Sequence, residues 1–220
     1  RSAVMFSFIV VGQSMRRKIS VYHTLSASAF FLLCRNPFFL WDAGFQLSYA
    51  AVLSIIVFLR PVTRWFFFKY ALASHIWKLI AVTLAAQVLT TPLSIYHFHQ
   101  VPNLFLLSNL VIVPLSGIIL YGEILLCLLS WFPVVASPCG KMLSGGLRMM
   151  NDFIAFINDM PFAVTSNISI SAFQTCLLYG FVITAAIWLM KEKRQMLPYA
   201  LMFLVTFALC RVLDLGHKQM

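Results

Sequence analysis

The sequence predicts an all-α protein: a polytopic transmembrane helical bundle with one or two interfacial amphipathic helices and proline-broken helices. Of its 220 residues, 61% are hydrophobic and only 10% are charged, whereas soluble domains carry about 25% charged residues. Long runs lack charge altogether: residues 79–140 contain one formally charged side chain, Glu123, and residues 160–190 contain none. Strands of membrane β-barrels alternate polar and apolar residues over about ten positions, so these long apolar runs favour helices.

We expect seven apolar stretches to form membrane-spanning helices, each of which needs about 20 residues. They are residues 2–15, 20–36, 42–59, 77–97, 104–130, 172–190 and 196–212. Together they predict one membrane-embedded domain over residues 1–220. Because the chain begins without Met and runs at once into an apolar stretch, we expect it to be a piece of a longer protein.

Two further segments are predicted to be interfacial. Residues 61–76 mix aromatic and basic side chains in the run 64–70, as segments at the headgroup level do. In residues 143–160, apolar side chains recur every three or four positions while charged ones occupy another face, which predicts an amphipathic helix. Such a helix can lie on the membrane or pack against the bundle, and its length does not decide between the two.

The basic loops predict the orientation of the chain, because cytoplasmic loops carry an excess of Lys and Arg. Loops 14–19 and 60–78 are separated by two predicted helices, so both can be cytoplasmic. Loop 191–194 would also prefer the cytoplasm, but it falls on the opposite side if residues 104–130 cross the membrane once. We therefore favour a helical hairpin or re-entrant pair for 104–130, with Pro114 inside it.

Polar residues inside the apolar stretches are the candidate functional residues, since an unpaired polar group in lipid is costly. The first set opens stretch 42–59 and comprises Asp42, Gln46, Ser48 and Tyr49, and Gly44 between them allows close helix approach. A second set steps along one face of 77–97 and comprises Thr83, Gln87, Thr90, Ser94 and His97. A third recurs every seven residues and comprises Asn109, Ser116, Glu123 and Ser130. Such sets either join helices by hydrogen bonds or line a hydrated path, and both interpretations stay open.

Glu123 is a candidate for ion or proton coupling or for the wall of a pore, because an ionisable residue inside a membrane is usually functional. The alternative is a glutamate at a helix end that reaches the interface or pairs with a cation.

A short sequence pattern, an amide followed five residues later by Pro-Leu-Ser, occurs in two of the stretches. Gln87 and Asn109 each precede a Pro-Leu-Ser sequence by five residues, at Pro92 and Pro114. Each proline removes the N–H that would bond the carbonyl four residues earlier. Broken helices of this kind are tolerated where they face a cavity or protein. Chance similarity between two proline-containing membrane helices is the alternative.

Motifs for catalysis or metal binding are not found in the sequence. The five cysteines show no C-x-x-C or other metal spacing, and no Asp, Glu or Cys lies within seven residues of the pair His97 and His99. Glycine-rich phosphate loops and nucleophile elbows are absent as well. We expect no metal, no cofactor and no enzymatic activity within these 220 residues.

The motifs resemble the membrane competence domain of the ComEC family of bacterial DNA-uptake proteins. The resemblance is carried by Arg1-Ser-Ala-Val-Met5, by Asn36-Pro37 through Asp42-Ala-Gly44-Phe-Gln46-Leu-Ser48-Tyr49, by Gln87-x-x-Thr90-x-Pro92-Leu93 with Tyr96-His97-Phe98, and by Asn109-Leu-x-x-x-Pro114-Leu115. It covers residues 1–130 well and 131–220 only by hydropathy.

The resemblance implies a multi-pass protein of the bacterial inner membrane that passes single-stranded DNA into the cytoplasm during natural transformation. The implied partners are single-stranded DNA, the lipid bilayer, flanking soluble domains of OB and metallo-β-lactamase type, and other competence proteins. A net charge of +10 suits a polyanion, although positive-inside loops would give the same charge without DNA.

Two alternatives belong to other functional classes. Glu123 and the two proline-containing helices also fit a small-solute or ion-coupled secondary transporter. A membrane-embedded enzyme acting on lipid is disfavoured by the missing catalytic cluster.

Overall fold

The computed structural model describes residues 2–14, 20–129, 131, 133–165, 168, 170–191 and 196–218. This part of the chain contains eight α-helices, a 3-10 turn at Pro37–Trp41 and one short pair of strands. The helices are α1 Ser2–Ser14, α2 Val21–Arg35, α3 Ala43–Thr63, α4 Ala71–Phe98, α5 Phe105–Leu129, α6 Pro133–Asn158, α7 Ala172–Lys191 and α8 Leu197–Lys218. The strands are β1 Val101–Pro102 and β2 Val164–Thr165. The predicted all-α fold is confirmed, and each of the seven predicted stretches contains a helix.

Length and composition identify the helices that can cross a membrane. Within the described residues, α3, α4 and α5 are long and apolar enough to do so. Shorter apolar stretches occur at Ser2–Gly12, Ala172–Trp188 and Leu197–Val212. The chain is therefore a helical membrane protein, as its composition predicts.

Polar caps set the helix starts in the first third of the chain. Ser20, Asn36 and Asp42 precede α2, the 3-10 turn and α3. Their side-chain oxygens accept hydrogen bonds from backbone N–H groups two or three residues later, at 3.4, 3.0 and 3.0 Å. The first N–H groups of a helix have no partner within the helix, so these caps replace the water that an apolar surrounding does not provide.

The chain divides into two compact units. The first comprises Arg1–Gln100 and Asn167–Met220, and the second comprises Val101–Ser166. This division does not test the prediction of a single domain over 1–220, since two units joined by two chain connections can belong to one domain.

Antiparallel helix pairs build the first unit, and small residues let the helices approach closely. Ala81 and Ala85 of α4 are completely buried. A Cβ atom at Gly12 of α1 would collide with Thr24 of α2, and one at Gly180 of α7 would lie 2.8 Å from the ring of Phe203 in α8. Small residues at crossings are typical of membrane helices, which gain their association energy from close packing.

A helical hairpin forms the second unit. A Cβ atom at Gly122 of α5 would collide with Leu143 of α6, and one at Gly146 of α6 would lie 3.7 Å from Ile119. At the base of the hairpin β1 pairs with β2 in antiparallel register, Val101 opposite Thr165. Asn103 strengthens this closure by donating from its backbone N–H to the Ala163 carbonyl at 2.9 Å. The chain therefore leaves this unit at the end where it entered.

Two local expectations are corrected. Residues 104–130 are not a hairpin or re-entrant pair, because α5 is one continuous helix and the returning arm is α6. The segment 61–76 contains the end of α3 at Thr63, a connection and the start of α4 at Ala71, and its location at the membrane interface stays a prediction. The amphipathic helix predicted at 143–160 is longer than expected, since α6 runs from Pro133 to Asn158.

The prolines do not interrupt their helices. Pro92 and Pro114 lie inside α4 and α5, which continue on both sides. The predicted breaks are therefore reduced to the loss of one N–H donor at each proline, a defect that a helix can accommodate by a local adjustment.

Because α5 and α6 form a hairpin, the three basic loops 14–19, 60–78 and 191–194 can all lie on the same side of the membrane. In the first unit, the backbone N–H of Ile168 donates to the His99 carbonyl at 3.1 Å, which places the start of α7 beside the end of α4. Since the hydroxyl of Tyr179 also reaches the Leu89 carbonyl, α7 runs antiparallel to α4 and its last turn lies at the same end as the 60–78 connection. Most of loops 14–19 and 191–194 lies outside the described residues.

From this arrangement we predict that 14–19, 60–78 and 191–194 are cytoplasmic and that 99–103 faces the opposite side. Lys69→Cys and Gln100→Cys, each introduced singly into a cysteine-free full-length protein, test the orientation with a membrane-impermeant thiol reagent. In intact spheroplasts we expect labelling of Gln100→Cys only, because reagent outside the cell does not reach cytoplasmic loops. Labelling of Lys69→Cys under the same conditions would contradict the orientation.

Candidate functional site

Gln46 connects three elements at one end of the α3–α4 pair. Its Nε2 donates to the Leu40 carbonyl in the 3-10 turn at 2.7 Å. Its Oε1 lies 2.9 Å from Nε2 of His97 in α4. We call the Gln46–His97 contact the polar joint. It fixes the end of α4 against the start of α3, in a helix pair whose other contacts are largely apolar.

The orientation of the Gln46 amide determines the proton on His97. The Leu40 carbonyl can only accept, so the NH₂ group of Gln46 must face it. The amide oxygen then faces His97, and this oxygen can only accept as well. His97 must therefore donate to Gln46 from a proton on Nε2.

The other residues of the first predicted set act locally. Oδ1 of Asp42 accepts from the Phe45 N–H at 3.0 Å and caps α3. The hydroxyl of Ser48 donates to the Gly44 carbonyl at 2.7 Å, within the same helix. Both contacts shape the first turns of α3 and so hold Gln46 in position.

The same turns of α3 contact α2 through aromatic and hydroxyl groups. Within α3, the tilted rings of Phe45 and Tyr49 have centroids 4.5 Å apart, which positions Tyr49 towards α2. The hydroxyls of Tyr49 and the fully buried Ser28 lie 2.9 Å apart. The start of α3 is thus joined to α2 and to α4 by separate polar contacts.

A second polar contact lies deeper in the α3–α4 pair. The hydroxyl of the fully buried Ser54 donates to the Ala85 carbonyl and accepts from the Leu89 N–H at 3.2 Å. Ala85 and Leu89 are four residues apart, so Ser54 contacts both groups that a helix ordinarily joins directly. The Leu89 carbonyl accepts in turn from the hydroxyl of Tyr179 in α7 at 2.7 Å. Side chains from two neighbouring helices therefore bond the backbone of α4 one turn before Pro92.

The second predicted set occupies the face of α4 opposite these packing contacts. Ala81, Ala85 and Pro92 are buried on one face, and at 100° per residue Gln87 and Ser94 lie on the other. The members of the set are all half-buried: Thr83, Gln87, Thr90, Ser94 and His97. This face is therefore polar without taking part in the tight α3–α4 packing, apart from His97 at its end.

Gln87 is held by its neighbours on α4. Its Oε1 accepts from the hydroxyls of Thr90 and Thr91 at 3.1 and 3.3 Å. These two hydrogen bonds hold the amide oxygen of Gln87 towards the next turn of α4, so its NH₂ group points away from that turn.

The third predicted set belongs to the second unit. Asn109 is half-buried, whereas Ser116 and Glu123 are exposed, and Ser130 lies outside the described residues. The two copies of the amide–proline pattern differ in burial, since Pro92 is fully buried and Pro114 is exposed. In the part of the chain that the structure describes, no three His, Cys, Asp or Glu side chains are grouped to hold a metal ion.

Sequence reasoning missed the roles of His97, Ser54 and Tyr179. His97 had a signal, because it ends the polar set on α4 and belongs to the Tyr96-His97-Phe98 motif. Ser54 is a lone hydroxyl in the middle of an apolar helix, which is a weak signal. Nothing in the sequence singles out Tyr179.

The polar joint connects two of the motifs that carry the family resemblance. The comparison with known families agrees with that resemblance. Residues 1–192 match the family described as Competence protein. The chain belongs to this family. The match extends beyond residues 1–130, over which motifs were recognisable, and it includes the α5–α6 hairpin and α7.

Among curated proteins, ComE operon protein 3 of Bacillus subtilis (strain 168) is 27% identical to this chain over 158 residues. The aligned region covers 66% of this chain and 19% of that protein, so the chain spans about a fifth of the relative's length. No solved structure matches the chain.

We predict that Gln46→Leu reduces transformation at least about tenfold while the protein stays in the membrane at a normal level. The substitution removes the acceptor of His97 and the donor to Leu40, and a hydrogen bond between membrane helices contributes about 1–2 kcal/mol. Transformation frequency, divided by membrane abundance of the full-length protein, measures the effect.

Ser48→Ala is the matched control, because Ser48 lies half a turn away and bonds only its own helix. We expect nearly normal transformation for it. Equal transformation by the Gln46→Leu and Ser48→Ala proteins would reduce the polar joint to a packing contact.

Proposed function

We propose that this chain is the membrane portion of a DNA-uptake protein that passes one DNA strand through the bacterial inner membrane into the cytoplasm. Membership of the Competence family over residues 1–192 carries the proposal, because competence is the state in which bacteria take up DNA. The similarity to ComE operon protein 3 supports it. The helical membrane fold is compatible with a path through a bilayer.

The polar face of α4 supports the proposal physically. This row of amides and hydroxyls meets part of its hydrogen bonding within α4, and its remaining donors and acceptors suit a polar partner or water, since unsatisfied groups in hydrocarbon are costly. The row faces away from the buried Ala81, Ala85 and Pro92. Uncharged groups suit a moving strand, because a path must hold its substrate weakly and repeatedly rather than bind it tightly.

The transporter alternative rested on two broken helices and on Glu123. Both helices continue through their prolines, which weakens the first of these grounds. Glu123 is exposed on α5 and stays compatible with either function.

Uptake of labelled DNA tests the proposed function. Cells that lack the full-length protein should bind labelled double-stranded DNA normally at the surface but bring no label into the cytoplasm. Expression of the intact gene should restore import. Normal import without the protein would contradict the proposal.

Proline substitutions test whether the α4 face belongs to the path. In a helix, Pro is disfavoured relative to Ala by about 3 kcal/mol, so Pro92→Ala and Pro114→Ala should be neutral or stabilising if the prolines only tune packing. If they shape the path, the proteins should stay folded and lose DNA import. We expect this loss for Pro92→Ala and for the double variant, because Pro92→Ala restores the N–H that bonds the Val88 carbonyl and so changes the helix that carries the polar face. Normal import by both single variants would show that the repeated amide–proline pattern is a coincidence.

A further inference from the structure

The polar face of α6 has no part in the function proposed so far. Of the helices described, α6 separates polar from apolar residues most strongly. Its apolar stripe packs towards α5 and includes Leu143, Leu147 and Met150, with Ile157 buried near the end. Its opposite face presents five exposed side chains: Lys141, Ser144, Arg148, Asn151 and Asp152.

The alignment of the hairpin sets the depth of this face. Gly122 lies level with Leu143 and Ile119 level with Gly146, and the same antiparallel register continues to the strand pair at the base. Continuing this register by two residues places Arg148 level with Gly117, the middle residue of α5.

This alignment excludes an arrangement in which α5 crosses the membrane while α6 lies flat on its surface. The length and composition of α5 suffice for a crossing, and α6 runs alongside it. Lys141, Arg148 and Asp152 would then lie at membrane depth. Ionised side chains at that depth face a protein interior or a water-filled cavity rather than lipid.

We propose that the polar face of α6 lines a water-filled path through the membrane and that Arg148 contacts the phosphodiester backbone of the passing DNA strand. The inference rests on the proposed function and names the surface that meets the substrate. Guanidinium groups suit phosphate because they present several donors in a planar fork. Ser144 and Asn151, one turn away on either side, add uncharged hydrogen-bonding groups.

The order of charges along α6 favours movement in one direction. Asp152 and Asp159 lie towards the end of the hairpin that carries β1 and β2, which the orientation above predicts to be extracytoplasmic. Arg148 and Lys141 lie progressively further from that end. For a polyanion the electrostatic potential therefore becomes more favourable towards the cytoplasm.

Spin labels on the full-length protein in liposomes test the location of the face. We expect a label at Ser144→Cys to be reached by a water-soluble nickel relaxant, because Ser144 faces the path. Ile118→Cys is the matched control, since Ile118 is exposed on α5 within one turn of the same level, on the side away from Ser116 and Glu123. We expect its label to be reached by oxygen, as lipid-facing labels are.

A third label, at the exposed Met149 beside Arg148, reports depth and should lie near the bilayer centre. The proposed path would be contradicted by a label at Met149 that lies at the depth of the lipid headgroups. It would also be contradicted by a label at Ser144 that oxygen reaches and the nickel relaxant does not.

Charge variants of Arg148 test the phosphate contact by DNA import per membrane-inserted protein. We expect Arg148→Lys to keep most import, Arg148→Gln to lose about tenfold, as the loss of one charged hydrogen bond implies, and Arg148→Glu to lose more. Normal import by Arg148→Gln would overturn the contact. Failure of the proposed function is distinguishable: cells that lack the protein would then import DNA normally, while the spin labels would still locate the face.

Discussion

The structure depends on one constraint: a polar group at membrane depth must find its partner inside the protein. The α3–α4 pair meets this constraint through the Gln46–His97 joint, through Ser54 at the backbone of α4, and through Trp77, which donates to the Thr63 carbonyl. Tyr179 extends it to α7. Because few polar residues occur in these helices, each contact fixes the register of a helix pair that apolar packing alone would leave free to slide.

The constraint also separates structural polar residues from those available to a solute. Ser54 is fully buried and bonded to backbone, so it holds helices together. Gln87 and the rest of its row are half-buried on the opposite face of α4, and Arg148 is exposed on α6. Only groups of the second kind can exchange partners with a passing molecule. The proposed path therefore follows from which polar groups the helix contacts leave accessible.

Hydropathy was sufficient to predict the seven apolar stretches, because each is a long run that only a helix can satisfy in lipid. It was insufficient for α6, whose Pro138, Lys141 and Arg148 make it too polar to be recognised as the returning arm of a hairpin. Missing that arm led to the wrong prediction of a hairpin within 104–130. Gln46 and Pro92 stand out in the sequence as unusual residues, but their surroundings depend on tertiary contacts. His97 lies 51 residues from Gln46, and no local pattern specifies that pairing.

A double-mutant cycle on Gln46→Leu and His97→Leu tests the polar joint most directly. The free energy of unfolding would be measured for the full-length protein and its three variants in bicelles. If the two side chains stabilise the protein through each other, the double variant should lose less than the sum of the single losses, by about 0.6–1.7 kcal/mol. Additivity within about 0.3 kcal/mol would show that the side chains act independently, and it would contradict a joint between α3 and α4.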